Sequence, residues 1–473
     1  MSKKLEFYGG EWMSFVPFLV FLVLIITTTF VFGSISDGAL WIPAFMAIVV
    51  GFFFAKKKSL YAEAIIQGMA SREAIIPIVC WIFAGVFSRI LRTSGFASGI
   101  AGVAANMGVN GTVFVIISFI ASAVFATASG TGFGTIAAGM GVLYPAGVAL
   151  GVNPAMMAGV IISGGAFGDN LAPVSDTTIC SATSQGVDVP GVVKSRLKYA
   201  LCAGLITIIA IIIFGTMTKG EGLATASDYA YNKATLLMFI PVVITIIVAI
   251  KSGDIIIATT IGSVLAGATA VLAGLMDLIQ IDPPEDAIPA LFRVVTSPDG
   301  GVVDGVVYTG IASMLQVSIL ALLLFGSISV MRMGQGDVKL LNVLGKVAKS
   351  RRSTEFVISF MVIILSALMG LNAPAILAVG ASFAKPLGNK FNISPYRVAN
   401  LLDAQSNTLV YSLPWTPAMV FTVSFATDSS APLIATQVTP YVFYAYATLA
   451  VMFMSIILGI GTNDNMGDKK ATK

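Results

Sequence analysis

Long apolar runs, repeatedly interrupted by glycine and proline, constrain the fold of this 473-residue chain more than any other sequence feature. Several runs approach the roughly 20 residues that a helix needs to cross a hydrocarbon core of about 30 Å. They lack the alternation of apolar and polar residues that is typical of membrane β-strands. Since 57% of the residues are hydrophobic and only 11% are charged, we predict an all-α polytopic membrane protein with about a dozen spans.

The charges favour a protein embedded in the lipid bilayer of the cell inner (plasma) membrane. The net charge of +4 is modest and dispersed, which argues against nucleic acid as a partner. Lys56, Lys57 and Lys58 follow the second apolar run, and because cytoplasmic loops are rich in lysine and arginine, they place the N-terminus in the cytoplasm. Lys194, Arg196 and Lys198 are interpreted in the same way as a cytoplasmic cluster. The first run, Ser14–Gly33, lacks a cleavage site and is predicted to be a retained span.

The composition also limits the chemistry. The chain contains no histidine, so a proton carried near neutral pH has to ride on a carboxylate or a lysine. Three widely spaced cysteines suggest neither a disulfide framework nor a metal motif. We therefore expect no cofactor, no enzymatic activity and, as cargo, a small cation or another small molecule.

The central motif is a break in an apolar run that begins near Pro154. It reads S-G-G-A-F-G-D-N-L-A-P-V-S-D-T-T from Ser163 to Thr178. A broken segment at membrane depth survives only inside protein or beside a water-filled cavity, and ionisable residues there indicate a binding site. A polar surface loop with helix caps is the alternative. The candidate ligands are Asp169, Asn170, Ser175, Asp176, Thr177 and Thr178, with both aspartates as sodium candidates because hard cations prefer oxygen.

An internal repeat predicts where the other half of the site lies. Pro145, Pro154 and Pro173 recur 241 residues later as Pro386, Pro395 and Pro414, and two glycine pairs, Gly85 with Gly326 and Gly95 with Gly336, fit the same ungapped register. The lysine distribution makes the two copies enter the membrane from opposite sides. The resulting prediction is an inverted repeat with broken or re-entrant helices, which in secondary transporters meet at a site near the midplane.

The repeat divides the chain into predicted parts and adds candidate residues. The parts are N-terminal spans (1–73), a first repeat (74–216), linking spans with an acidic external loop (217–305), a second repeat (306–430) and a final span with a tail (431–473). The shifted motif falls on a polar segment after Leu402, and the earlier break at Thr131 falls on Asn372. The added site candidates are Asn372, Asp403, Asn407 and Thr408, with Asp403 as a third sodium candidate.

The motif G-D-N-L-A-P-V-S-D-T-T resembles the signature of the NhaC family of sodium/proton antiporters. Gly168, Asp169, Pro173, Ser175, Asp176, Thr177 and Thr178 match that signature, whereas Ala172 stands where the family commonly has serine. The resemblance implies exchange of sodium for protons, and relatives of the family include sodium-coupled exchangers of organic acids.

The predicted function is a secondary active transporter that exchanges sodium for protons by alternating access. A sodium- or proton-coupled carrier of a small organic anion or amino acid is the second reading. An intramembrane aspartyl protease is disfavoured because residue 166 is alanine where a G-x-G-D pattern needs glycine, and a passive channel is disfavoured by the paired broken repeats. The sequence leaves open a homodimer and whether Lys385 and Trp415 line the site.

Overall fold

The structure, a computed structural model, describes residues 4–32, 40–107, 109–173, 175–217, 232–252, 254–284, 287–296, 300–427 and 431–461. Residue 33, the predicted end of the first span, lies outside these ranges. The helices of the first part are α1 Val16–Phe32, α2 Trp41–Phe54, α3 Lys58–Met69, α4 Arg72–Thr93, α5 Phe96–Asn106, α6 Gly111–Ser129, α7 Gly132–Ala149, α8 Pro154–Leu171, α9 Asp176–Gln185 and α10 Val189–Met217.

The linking part contains α11 Phe239–Ser252 and α12 Ile255–Leu272. The remaining helices are α13 Val306–Ala312, α14 Leu315–Met333, α15 Gly336–Gly345, α16 Arg351–Met369, α17 Asn372–Val379, α18 Lys385–Lys390, α19 Pro395–Ser406, α20 Leu409–Ser412, α21 Pro417–Thr427, α22 Ala435–Val438 and α23 Phe443–Leu458. A π-helix, Gly380–Ala384, joins α17 to α18. The helical prediction with broken spans is therefore confirmed.

A small sheet lies in the connection that the sequence analysis describes as an acidic loop. β1 Asp277–Ile281 pairs in parallel with β2 Ala290–Val295, and β3 Val302–Asp304 pairs with β2 in the antiparallel direction. Isoleucine and valine dominate these short runs, and β-branched residues favour strands. Because acidic residues flank these runs, the sequence predicts only an acidic loop here and no strands.

Within the described ranges, five helices are long and apolar enough to cross a membrane, and two bent helix pairs would raise that number to seven. Several shorter apolar helices of 10–17 residues accompany them. The apolar run Val306–Val330 predicts a single span, but the structure divides it, because α13 ends and α14 begins around Ser313 and Met314. A short break likewise separates α3 from α4. The predicted dozen spans and the domain boundaries stay predictions.

The backbone hydrogen bonds repeat along the chain and confirm the internal repeat. The bonds Ser94 N to Ile90 O and Gly95 N to Arg92 O recur 240 residues later as Gly334 to Val330 and Gln335 to Arg332. After the π-helix the shift becomes 241, as in Ala172 to Gly168 and Leu413 to Leu409. A π-helix accommodates one extra residue in a helix. The ungapped register is therefore wrong before Gly380: Gly85 and Gly95 correspond to Phe325 and Gln335, and Thr131 corresponds to Leu371 rather than to Asn372.

Each copy of the repeat packs one of its helices against helices of the other copy. α9 of the first copy packs on α17 and α19 of the second, whereas α21 of the second copy packs on α7 and α8 of the first. Such an exchange is expected of two units related by a pseudo-twofold axis, as in inverted repeats. Small residues allow the close packing inside each copy, since a Cβ on Gly168 of α8 would lie 2.2 Å from the Cβ of Ala126 on α6.

Candidate functional site

Four breaks in the helices meet in the interior and form the candidate site. α6 and α16 end at Gly130 and Gly370, which have φ angles of 72° and 66°, a left-handed conformation that favours glycine. The break between α8 and α9 contains Pro173, which cannot continue a helix. The break between α19 and α20 contains Asn407 and Thr408. The breaks bring the ends of short helices, with their polar side chains, to one place.

Asp169, near the end of α8, is held by hydrogen bonds from both copies of the repeat. Its carboxylate accepts one from the Ser175 hydroxyl at 2.8 Å and another from the Tyr411 hydroxyl at 2.9 Å. The side chain is 5% exposed. Gly132 makes this approach possible, because a Cβ there would lie 2.1 Å from the Tyr411 oxygen and 3.3 Å from the Asp169 Cβ. Asp169 is one of the predicted site residues, whereas its partner Tyr411 is not among them.

Asp176 is the first residue of α9 and is exposed to a cavity. The cavity has a volume of about 510 Å³. Asp169 and Asp176 line the same cavity, and the two carboxylates are close enough for their charges to interact. The polar lining also includes Arg72, Cys80, Ser129, Thr131, Thr177 and Asn372. The predicted convergence of the two aspartates on one cavity is therefore seen in the structure.

Asp403 forms a buried ion pair with Arg196 instead of facing the cavity with Asp169. The guanidinium Nη1 lies 2.6 Å from the Asp403 carboxylate, and both side chains are 0% exposed. Ser181 donates a hydrogen bond to the same carboxylate at 3.2 Å, and Asn407 donates another at 3.0 Å. Since its charge is already balanced and its oxygens accept three donors, Asp403 is poorly placed as a direct sodium ligand.

Arg196 corrects the interpretation of its segment as a cytoplasmic cluster. Lys194 and Lys198 are exposed, but Arg196 is fully buried. The apolar run predicts a span that starts at Tyr199, whereas α10 begins at Val189 and turns Arg196 inward. Arg196 also donates to the Asn170 carbonyl and, at 3.3 Å each, to the Asn170 side-chain oxygen and the Thr178 hydroxyl. The buried residues at positions 192, 195, 196, 199, 200 and 203 have helical spacing, so Arg196 lies on the inward face of α10.

The other predicted residues divide between the cavity and the buried network. Asn372 lines the cavity and donates to the side-chain oxygen of Asn407. Ser175 and Thr177 share a hydrogen bond of 2.9 Å. Asn170 instead donates to the Tyr444 hydroxyl at 2.9 Å, so its side chain belongs to the Arg196 network. The Thr408 hydroxyl donates to the Gln405 carbonyl at 2.6 Å and is buried.

Two residues left open by the sequence lie outside the cavity lining. Lys385 is exposed, with its Nζ 3.1 Å from where a Cβ on Gly186 would lie, at the end of α9. Trp415 is half-buried and donates to the Ala367 carbonyl at 3.2 Å. Neither side chain is among those that line the cavity.

A second buried ion pair was missed by sequence reasoning. The Arg397 guanidinium lies 3.3 Å from the Glu355 carboxylate and donates to the Ser455 hydroxyl at 2.9 Å. Both side chains of the ion pair are at most 1% exposed. The pair joins α16, α19 and α23. The apolar run that follows Glu355 predicts a span that starts there, and a carboxylate at the start of a span is normally interpreted as a surface residue; the structure places Glu355 inside α16.

The arrangement suits a small hard cation or a proton. One cavity is lined by carboxylate, hydroxyl and amide oxygens, which belong to Asp169, Asp176, Thr131 and Asn372. Oxygen is the ligand that hard cations prefer. No three His, Cys, Asp or Glu side chains gather as a metal site among the residues that the structure describes. A cation bound here would therefore complete its coordination with neutral oxygens or water.

Comparisons with known proteins find relatives among antiporters. The family model described as "Na+/H+ antiporter family" matches residues 9–216 and 216–460. The Na(+)/H(+) antiporter NhaC of Alkalihalophilus pseudofirmus is 23% identical over 95% of this chain and 96% of its own. The malate-2H(+)/Na(+)-lactate antiporter of Bacillus subtilis is 26% identical over 55% of this chain and 56% of its own length. The arginine/ornithine antiporter ArcD of Halobacterium salinarum is 25% identical over 73% of this chain and 71% of its own.

Proposed function

The chain belongs to the Na+/H+ antiporter family, and we propose that it exchanges sodium ions for protons across the inner membrane by alternating access, with its N-terminus in the cytoplasm. A transporter role, in a multi-pass membrane protein, follows from the family and from the apolar helices. The finer assignment of the ions is supported by one observation above all. Two acidic side chains, Asp169 and Asp176, line a single cavity between broken helices of both repeats.

The energetic cost of a buried charge explains how the two ions compete. An uncompensated charge within the membrane costs about 2.5–3.5 kcal/mol even on the most lenient scale. Among the residues that the structure describes, no guanidinium pairs with Asp169 as Arg196 pairs with Asp403, and Asp176 lies beside Asp169. The two carboxylates are therefore most stable when they hold a sodium ion or a proton. Because either ion satisfies the same oxygens, binding one releases the other, which is the coupling that an exchanger needs.

The remaining candidates are assigned supporting roles in this proposal. Ser175, Thr177 and Asn372 supply neutral oxygens near the ion. Asp403, Arg196, Asn170 and Thr178 form a neutral buried network that positions α9 and α19 around the cavity. Asp403 then acts through its partners rather than as a sodium ligand. The lipid bilayer is the medium in which this network stays dry, so that its ion pair is strong.

Sodium-driven pH change in proteoliposomes tests the proposal. An inward sodium gradient should drive protons out of the lumen and alkalinise it, whichever way round the protein is inserted, and Asp169→Asn and Asp176→Asn should each abolish that signal. Asp282→Asn, a change to an exposed carboxylate in the sheet connection that accepts hydrogen bonds from Thr296, is the matched control and should transport normally. Unchanged transport by Asp176→Asn would remove that residue from the mechanism.

A second candidate function is carriage of a small organic anion or amino acid coupled to sodium or protons. The cavity volume of about 510 Å³ leaves room for more than an ion, and Arg72 lines it. A guanidinium repels a cation and binds a carboxylate with two hydrogen bonds. Uptake of labelled carboxylic and amino acids would decide the matter. If the cargo is a carboxylate, Arg72→Gln should weaken its uptake. If sodium is the only cargo, Arg72→Gln should leave sodium/proton exchange intact.

A further inference from the structure

Two arginines occupy equivalent positions at the ends of the corresponding helices α4 and α14. Arg92 and Arg332 are 240 residues apart, and the same turn of hydrogen bonds follows each of them. Residues 85, 88 and 89 of α4 lie around Arg92, and their counterparts 325, 328 and 329 of α14 lie around Arg332. If the two repeats had the same conformation, the two arginines would have the same surroundings.

The surroundings of the two arginines differ. Arg92 donates a hydrogen bond to the backbone carbonyl of Phe425, near the end of α21. Phe425 and Ser424 cover this side of α4, and the space left there is only about 10 Å³. Arg332 lies in a pocket of about 190 Å³, and its Nη2 is 3.8 Å from the Met369 sulfur. Among the described residues that line this pocket, none belongs to α9.

The missing counterpart of Phe425 can be identified. Subtracting 241 from 425 gives residue 184, which is Ser184 on α9. The end of α9 packs instead against the π-helix, where Gln185 donates to the Gly380 carbonyl at 3.3 Å and a Cβ on Gly380 would lie 2.5 Å from the Ser184 hydroxyl oxygen. Asp176 and Thr177 of α9 and Arg72, Ile76 and Cys80 of α4 line the same cavity. The end of α21 thus contacts Arg92, whereas the end of α9 contacts the π-helix and only the start of α9 lines the cavity.

We propose that Arg92 and Arg332 close opposite ends of the transport pathway in alternation. In the present state Arg92 holds the carbonyl of Phe425 and the cavity is open beside α9. In the opposite state Arg332 donates to the carbonyl of Ser184, while Arg92 releases Phe425. Exchange of conformations between inverted repeats is how a single site is exposed to two sides in turn. The proposal rests on the alternating access assumed in the proposed function.

Cysteine cross-linking tests this alternation. In a chain with Cys80, Cys180 and Cys202 replaced by serine, one variant carries Arg92→Cys with Phe425→Cys and another carries Arg332→Cys with Ser184→Cys. A short bifunctional thiol reagent should cross-link the first pair in the present state and the second pair in the opposite state. Ions that raise the yield of one pair should lower the yield of the other. A second pair that never cross-links, or yields that rise together, would overturn the proposal.

Single substitutions provide a second readout that does not need cross-linking. Arg92→Gln should shift the population away from the present state and lower the labelling rate of Cys80 in the cavity, by about tenfold for the loss of one charge-assisted hydrogen bond. Arg332→Gln should shift the population in the opposite direction. Arg92→Lys and Arg332→Lys keep the positive charge, so each should change the labelling rate of Cys80 less than the corresponding glutamine variant. Equal changes in both variants would contradict the alternation.

Labelling and cross-linking need no knowledge of the cargo. If sodium drove no pH change while the two cross-links still alternated, the proposed ions would be wrong, but the proposed alternation of Arg92 and Arg332 would be retained. If sodium/proton exchange were intact and the cross-links did not alternate, only the role of the arginines would fall.

Discussion

The guanidinium of Arg196 lies 2.6 Å from the carboxylate of Asp403, and neither side chain has any contact with solvent. The two residues come from α10 and α19, which belong to different parts of the chain. Hydrogen bonds from Ser181 and Asn407 satisfy the carboxylate further. This pair fixes the position of α19 relative to α9 and α10 and thereby the wall of the cavity.

Removing one partner of this pair should destabilise the protein more than removing both. Arg196→Gln or Asp403→Asn alone leaves a buried charge without its partner, which typically costs about 3–5 kcal/mol. The double variant buries no charge at all and should therefore lose less stability than either single variant, which is also well below the sum of the two single losses. Thermal unfolding of the purified protein in detergent measures all four forms. Additive losses would show that the two charges do not interact.

Gly132→Ala should strongly impair transport. The added methyl group would lie 2.1 Å from the Tyr411 hydroxyl oxygen, so Tyr411 would have to leave Asp169. A hydrogen bond to a charged group is worth about 1.5–3 kcal/mol, and its loss should change the sodium dependence of transport by about tenfold or more. Gly326→Ala, where the nearest atom, the Ile65 Cγ2, would be 3.3 Å away, is the milder control. Equal effects would argue against the importance of this contact.

Sodium should slow the labelling of Cys80. This half-buried thiol lines the cavity together with Asp169 and Asp176, whereas Cys202 is exposed on α10. In a variant with Cys180→Ser and Cys202→Ser, a small maleimide should react with Cys80 more slowly as sodium increases, and the Asp176→Asn change should remove that protection. A labelling rate independent of sodium would place the ion elsewhere.

Asp188 should make stability depend on pH outside the membrane-spanning segments. The hydroxyl of Tyr396 and the backbone N–H of Gly191 donate to this exposed carboxylate and lower its pKa. A lowered pKa in the folded state contributes stability above about pH 4, and this contribution is lost as the pH falls through the lowered pKa. Tyr396→Phe should therefore cost less than about 1 kcal/mol at pH 7, because the group is exposed, and this cost should shrink as the pH falls below about 4 and through the lowered pKa of Asp188. Unfolding curves at several pH values measure this, and a cost that does not change with pH would assign the effect to packing.

The sequence by itself determined the class of the protein and the centre of its site. Apolar runs in a chain without strand periodicity require helices, since lipid offers no partners for backbone groups. Proline and glycine mark the breaks at Gly130, Pro173 and Gly370 because their backbone chemistry ends helices locally. The paired aspartates of the central motif, Asp169 and Asp176, follow from these same local rules.

Only the tertiary structure decided which charges are neutralised and by what. Arg196 meets Asp403 across 207 residues, and Arg397 meets Glu355 across 42, and nothing in the local sequence distinguishes these arginines from those at membrane surfaces. The one-residue shift at the π-helix likewise becomes visible only when hydrogen bonds are compared between the two copies. Local rules set where a helix begins and ends, whereas the partner of a buried charge depends on how distant helices pack, because a buried charge is stable only beside its counter-charge.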